Sequence, residues 1–549
     1  MQKFKRIKYW APLLCALMFA AGMWLGIFLT TEQKSHPGVE KLNEMLSLIQ
    51  EHYVDEVDID SLIEQSLPGI LGNLDPHSAY IPAKDLDEAN QSLRGSFGGI
   101  GIRYQMYRDT INIVEIITGG PSEKAGLHAG DRIIAVNGRN VTGKKMTVDS
   151  VPALLKGPEN SMVDLTVVRP SAPGKKFKYR LRRGNIPVSS IDTYFMADRN
   201  TGYVRISNFG QNTYREFMNA MLNLATKGAE SFIIDLRGNT GGYMEPAVLM
   251  ANEFLPANQT IVSTRGRNSQ EEIIRSDGTG AFTKVPVTIL VDEMTASAAE
   301  IMSGAIQDHD RGLVIGRRTF GKGLVQKPIT LTDVSEVRLT VQRYYTPSGR
   351  SIQKQYKPGH NDDYELEVFE RFRNGEFTNQ DSIKINENLL FSTENGRPVY
   401  GGGGILPDVF VPEDTTGVTR YYMDLMNKGL LMDYAYEFTD QNRRALSQIK
   451  NLDQLLKSLP SDTDLLNTAV YYAASHKVPA RWYYINQSSS LIVKQVKALI
   501  ARNVLGLPYY YQVLEQDDAN VRRALREIKA GNARQPVSIG RSKSGKKKP

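Results

Sequence analysis

Two side chains stand in settings that suit chemistry, Ser297 and Lys322, with a glycine-rich turn, Arg237–Gly242, as a third element. A serine on a strand-to-helix turn can be held exposed on a rigid backbone. The helix behind it offers unpaired N–H groups and the positive end of its dipole to an oxyanion formed there. Each feature also has a plainer meaning. Ser297-Ala298-Ala299-Glu300 is a capping box, with serine at the N-cap and glutamate three residues on. Lys322 between Gly321 and Gly323 reads equally as a solvated surface lysine, and Gly238–Gly242 as a tight strand–helix turn. Gly316–Lys322 also spells G-x-x-x-x-G-K, the opening of a phosphate-binding loop. Position 323 is glycine, however, not the Ser or Thr that holds magnesium, and LVQKPITL alternates like a strand. His309 is the candidate for a histidine-based triad, but it follows the helix, about three turns from Ser297, and reads as a solvated loop histidine.

These residues need elements to place them. Val285–Val291 is a dense β-branched run suited to a buried strand, and Ile301, Met302, Ala305 and Ile306 mark one face of a helix beginning near Ser297. Gly312–Gly316 returns to strand. Upstream, Gly202–Ile206 and Ser231–Leu236 read as strands, Asn212–Thr226 and Pro246–Phe254 as helices. The alternation predicts an α/β core over 187–412. Residues 31–92 read as short helices, with an apolar stripe at Val39, Leu42, Met45, Leu46 and Ile49 that serves a core face or packs against a second copy. Within them LDPHSAYIP, Leu74–Pro82, is a turn-rich segment with no chemistry of its own. Residues 413–530 are predominantly helical, and the tyrosine pairs 421–422, 471–472 and 509–510 suit core or groove positions.

The chain has 549 residues, room for about three or four domains, with 41% hydrophobic and 23% charged residues, as in globular proteins. Its net charge of +7 suggests a nucleic-acid binder until the charges are located. Lys3, Lys5, Arg6 and Lys8 crowd one end, and Arg534, Arg541, Lys543 and Lys546–Lys548 the other. Without them the chain is net acidic, which excludes a basic nucleic-acid face. The basic residues 1–8 precede Trp10–Thr30, about 20 residues without a charge, long enough to span a bilayer. An uncleaved anchor over 9–30 is expected, with everything after it outside the cytoplasm, in a bacterium the periplasmic side of the inner membrane. The one cysteine, Cys15, lies in this stretch, so no intramolecular disulfide is available. The tail 531–549 is polar and basic.

Residues 93–186 carry Phe97–Ile102 (FGGIGI), the alternating run Ile111–Ile117, then GGPSEKAGL from Gly119 and GDRIIAVNG from Gly130. This ordered series resembles a PDZ domain. The resemblance implies that Gly98, Gly99, Ile100 and Gly101 present backbone N–H groups to a peptide's terminal carboxylate while the peptide adds a strand. Glycines allow that close approach, and consecutive N–H groups make an anion nest.

With Ser297, Lys322 and the Arg237–Gly242 turn in view, the chain resembles the C-terminal processing peptidases, the tail-specific, PDZ-containing serine proteases of bacteria and plastids. The resemblance covers about residues 38–412 and rests on YVDEVD, LDPHSAY, DLRGNTGG, TASAAEI, GRRTFGKGLVQ, YYTPSGRSIQ and GGGGILPD in fixed order. It implies a crotonase-like core and a peptidase in which Ser297 is the nucleophile, Lys322 the general base and Gln326 its orienting partner. Ala298 N–H and a glycine N–H of Gly241 or Gly242 would form the oxyanion hole. It implies no metal or cofactor, and protein substrates with exposed apolar carboxyl ends. A lysine serves as a base only if burial lowers its pKa from near 10.4. The family more often has serine at position 299 and proline or glycine at 240, where Ala299 and Thr240 stand here. Residues 354–397 and the helices beyond Pro412 exceed the family core. A catalytically inactive PDZ scaffold is the alternative from another class.

Overall fold

The computed structural model describes residues 16–23, 36–143, 146–170 and 172–533. The chain divides into two compact units, Met1–Leu71 and Gly72–Pro549. Of the apolar stretch Trp10–Thr30, residues 16–23 are described, as helix. Among the described residues no helix is long and apolar enough to cross a membrane. Cys15, the basic start and residues 534–549 lie outside the described residues. The first unit contains helix α1 (Pro37–His52) and all but the last residue of α2 (Ile59–Gly72). No residue of α1 is buried, and Val39, Leu42 and Met45 are exposed, so the stripe is not a core face of this unit.

The second unit begins with the strand Ala79–Ile81 and the helix Leu86–Arg94 and continues into the expected β-rich module. Strands β1 (Ile102–Tyr107), β2 (Thr110–Ile116), β3 (Arg132–Val136), β4 (Met162–Val168) and β5 (Lys176–Arg182) form one sheet in that order. Ile111, Ile113, Ile133, Val163, Leu165 and Val167 make its core. Ser96–Gly99 pairs instead with Gly184–Pro187. At Gly98 an added Cβ would stand 2.1 Å from the Gly157 carbonyl oxygen, so the glycine is a steric requirement.

The α/β core has the sheet order β6 (Ile191–Met196), β7 (Thr201–Ile206), β8 (Ser231–Asp235), β9 (Val287–Val291), β10 (Leu313–Gly316), and finally Val409–Phe410. All but β6 run parallel. Helices α3 (Thr213–Thr226), α4 (Met244–Asn252) and α5 (Ala298–Asp308) cover one face, packing on Val204, Ile234, Ile289 and Val314. The alternate residues Tyr203, Ile233, Leu290 and Ile315 face the other way. A second sheet is built on β12 (Glu336–Tyr345), which pairs with β11 (Leu324–Thr330), with Ala79–Ile81 and with Thr260–Gly266.

The helical carboxyl-terminal region has its own core of Leu425, Leu431, Leu455, Ile492 and Val496. Several of its helices reach the rest of the molecule. From α6 (Leu430–Gln441), Asp433 bonds Gln105 at 3.0 Å, Tyr436 bonds Asn112 at 3.0 Å and Asp440 bonds Arg132 at 3.0 Å. The long helix α7 (Trp482–Leu505) leads to α8 (Leu507–Glu515) and α9 (Ala519–Lys529). Val521 and Ala524 of α9 close the second face of the α/β sheet. This region, which sequence reading left without a role, completes the core.

Candidate functional site

β9 and β8 are parallel neighbours, so the turns after them lie side by side at one end of the sheet. Ala296 N–H donates to the Asn239 carbonyl at 2.9 Å, and the Thr295 hydroxyl to the Leu236 carbonyl at 2.9 Å. Ser297 follows with φ 56° and ψ −118°, a left-handed conformation that costs a residue with a side chain about 1–3 kcal/mol. A strained elbow of this kind holds a side chain rigidly, and Ser297 itself is half-buried. Gly241 has φ 101°, and a Cβ there would stand 2.7 Å from the Ser297 Cβ. Its N–H is already donated to Asn239 Oδ1 at 2.8 Å, so Gly241 packs against the serine and is not a free donor. Among the described residues the N–H groups of Gly242 and Ala298 have no hydrogen-bond partner.

Lys322 comes from the loop between β10 and β11. What joins it to Ser297 is Glu300, wholly buried on the first turn of α5. One carboxylate oxygen accepts the Ser297 N–H at 2.9 Å and the Lys322 N–H at 2.9 Å. The two backbone nitrogens are therefore no farther apart than twice that distance. The other oxygen accepts the Thr319 hydroxyl at 2.5 Å and the Gly321 N–H at 2.8 Å. The Tyr344 hydroxyl lies 3.1 Å from the Ser297 carbonyl oxygen and 2.5 Å from that of Lys322, a second link between the two. The capping box expected from sequence is present, but its glutamate is chiefly the bracket between two loops.

Burial dominates the electrostatics. It pulls the Lys322 amine below the ordinary lysine range, Arg338 acting the same way while the Glu300 and Asp75 carboxylates oppose. Burial also pushes Glu300 up to about 7, against the hydrogen bonds it accepts. Lys322 is thus not the solvated surface lysine of the plainer alternative.

The LDPHSAY segment, read from sequence as chemically empty, lines this site. Asp75 accepts the Ser78 hydroxyl at 2.6 Å, the His77 N–H at 2.9 Å and the Thr340 hydroxyl at 3.0 Å. Burial works against its charge, yet these bonds hold its pKa below the usual value. Burial first, then the nearby Lys322 charge, pushes His77 down to about 3, so its imidazole is neutral. Its Nε2 meets the Tyr364 hydroxyl at 2.9 Å, and Tyr364 is 3.2 Å from the Gln353 amide nitrogen. Gln353 in turn accepts the Gly323 N–H at 2.7 Å. Gln326, expected to orient Lys322, lies on β11 opposite Thr340 and donates to its hydroxyl at 3.5 Å, toward the Asp75 cluster.

His309 caps the far end of α5. Its side chain is 10% exposed, with Nδ1 3.1 Å from Glu394 and Nε2 2.6 Å from the Thr260 carbonyl oxygen. It is a bonded helix cap, neither solvated nor near Ser297. The loop after Gly316 runs into strand β11 and not a helix, which removes the phosphate-loop alternative. In the β-rich module Gly98 and Gly99 are taken up in pairing with Asn185 and Gly184. The N–H groups of Ile100 and Gly101 have no partner among the described residues, leaving these two able to hold a carboxylate.

Residues 200–366 match Peptidase family S41, residues 113–169 the PDZ domain, and residues 28–85 the activating protease CtpB N-terminal domain. Residues 421–506 match a family of unknown function. The chain is 36% identical over 316 residues to the carboxy-terminal processing protease CtpA of Bacillus subtilis (strain 168), covering 57% of this chain and 66% of that protein. It is 33% identical over 352 residues to the carboxy-terminal-processing protease of Bartonella bacilliformis, covering 61% and 80%. Among solved structures, the photosystem II D1 C-terminal processing protease aligns at 28% identity with a TM-score of 0.33, covering 59% of this chain and 92% of that one.

Proposed function

Since this chain belongs to the carboxy-terminal processing serine proteases with a PDZ domain, we propose that it is an endopeptidase working through Ser297 and Lys322. Neutral Lys322 takes the proton of the Ser297 hydroxyl as that oxygen attacks the scissile carbonyl. The carbonyl oxygen becomes an oxyanion held by Ala298 N–H and Gly242 N–H. As the tetrahedral intermediate collapses, the lysine returns the proton to the departing amine, leaving an acyl-enzyme on Ser297. Water, deprotonated by the Lys322 amine, then attacks the ester, and the lysine hands that proton to the departing Ser297 oxygen, releasing the product acid and restoring the hydroxyl. Gln326 acts on this site through Thr340 and Asp75. No metal or cofactor takes part.

The observation that carries this reading is the bracket of Glu300 and Tyr344, which grips the Ser297 and Lys322 peptides together. Substrates are exported proteins with exposed apolar carboxyl ends, captured by the Ile100–Gly101 loop as an added strand along β1, an edge of its sheet. The basic start and the apolar stretch Trp10–Thr30 support a single-pass anchor in the inner membrane with the catalytic part in the periplasm. The exposed stripe of α1 is where a second copy of the chain would pack.

The test incubates the chain with peptides ending in apolar residues. Cleavage that disappears in both Ser297→Ala and Lys322→Ala, and that EDTA leaves unchanged, supports the protease. Peptide binding without cleavage would make the chain a PDZ scaffold instead.

A further inference from the structure

The turn that carries Gly242 begins at Arg237, and Arg237 is held from outside the peptidase fold. Its guanidinium is 2.6 Å from Asp235 at the end of β8, 2.6 Å from Glu515 on α8, and 3.0 Å from Asp518 at the start of α9. Its side chain is only 13% exposed. The other oxygen of Glu515 lies 3.4 Å from Arg205, whose guanidinium also donates to the Arg237 carbonyl at 3.3 Å. Glu515 therefore acts on both ends of one residue, its guanidinium directly and its carbonyl through Arg205. Asp235 lies within the span matched to the peptidase family, residues 200–366, while Glu515 and Asp518 lie far beyond it.

Resting on the protease reading above, we propose that Glu515 and Asp518 are positioning residues for the oxyanion turn, through which the carboxyl-terminal helices set turnover. A guanidinium so little exposed keeps its place only while its partners surround it. Asp235, which accepts from Arg237 Nε at 3.0 Å and Nη2 at 2.6 Å, is then its remaining carboxylate, so Arg237 is held from one side alone and the Gly238–Gly242 turn that follows it loosens. That loosening shifts the Gly242 N–H from the place where negative charge develops, a displacement felt in the transition state rather than in substrate binding.

The full chain is compared as wild type, as the double variant Glu515→Gln with Asp518→Asn, and as Lys529→Ala. Asparagine preserves the N-cap that Asp518 gives α9, whose N–H groups at 520 and 521 it bonds at 2.9 and 3.1 Å. Lys529 pairs with Asp198 at the surface of the same helix and serves as the control. Amide hydrogen exchange is followed over residues 236–244, together with kcat and KM for a short peptide. The double variant is expected to exchange about tenfold faster in the turn, with α5 and α9 unchanged. Its kcat should fall about tenfold or more while KM stays within about twofold, and Lys529→Ala should match wild type. Wild-type exchange in the turn, faster exchange across the whole chain, or a loss confined to KM would each overturn the proposal. A wild type that cleaves nothing would refute the protease reading, and the exchange measurement would still decide whether Glu515 and Asp518 hold the turn.

Discussion

Glu300 receives four hydrogen bonds, from three backbone N–H groups and the Thr319 hydroxyl, and every partner is a donor. A carboxylate suits that arrangement and an amide does not. In Glu300→Gln the amide nitrogen must face two of those donors, at about 1–3 kcal/mol for each one left unmatched. Thermal unfolding should show that loss, and peptide cleavage should fall at least about tenfold because Ser297 and Lys322 lose their common anchor. A variant as stable and active as wild type would mean that the carboxylate is only a helix cap. Ser297 and Lys322 themselves were legible because motifs in fixed order surround them. Glu300 was not, since a capping box already accounts for a glutamate at that spacing. Asp75 and His77 were hidden for another reason: His77 meets Tyr364 across 287 residues of sequence, and nothing local marks a contact of that range.

The paired turns after β8 and β9 are the element on which the site is built. Gly241 is pressed against Ser297 at a φ of 101° that other residues rarely adopt. Gly241→Ala should therefore displace Ser297 and lower kcat about a hundredfold or more, as loss of an oxyanion donor does. Circular dichroism should stay near wild type, because the strain is confined to the turn; undiminished turnover would show that the turn yields without cost. The strands and helices here were readable from period and β-branched content, and Ser231–Leu236 and the helix after Ser297 fall within a residue of expectation. Which glycine of the pair keeps a free N–H was not readable. That depends on the Asn239 side chain folding back on Gly241, a local choice that a sequence such as DLRGNTGG leaves open.

At the scale of the whole molecule, the carboxyl-terminal helices are integral to the peptidase. Removing residues 413–549 would strip Val521 and Ala524 from the sheet face formed by Tyr203, Ile233, Leu290 and Ile315. The shortened chain should aggregate on expression, as exposed apolar faces of this kind do. Recovery of a soluble, active monomer would contradict that packing. Sequence reading missed this role because α9 is a short charged helix whose few apolar residues reveal no partner. The PDZ module was legible through its glycine pattern, but the pairing that takes up Gly98 and Gly99 and leaves the N–H groups of Ile100 and Gly101 was not. In Gly98→Val the added side chain meets the Gly157 carbonyl, so cleavage of proteins through their tails should slow while cleavage of short peptides stays near wild type. Equal rates on proteins would remove the capture role.

The central claim is that an uncharged Lys322 takes the proton of Ser297. The most direct test is the pH dependence of single-turnover acylation at Ser297. Because the Lys322 pKa is lowered in the fold, the neutral base appears earlier as pH rises. The rate should therefore climb with pH along an ionisation below the ordinary lysine value of about 10.4, and vanish in Lys322→Ala. A rate that climbs only near that ordinary value, or that survives in Lys322→Ala, would contradict it.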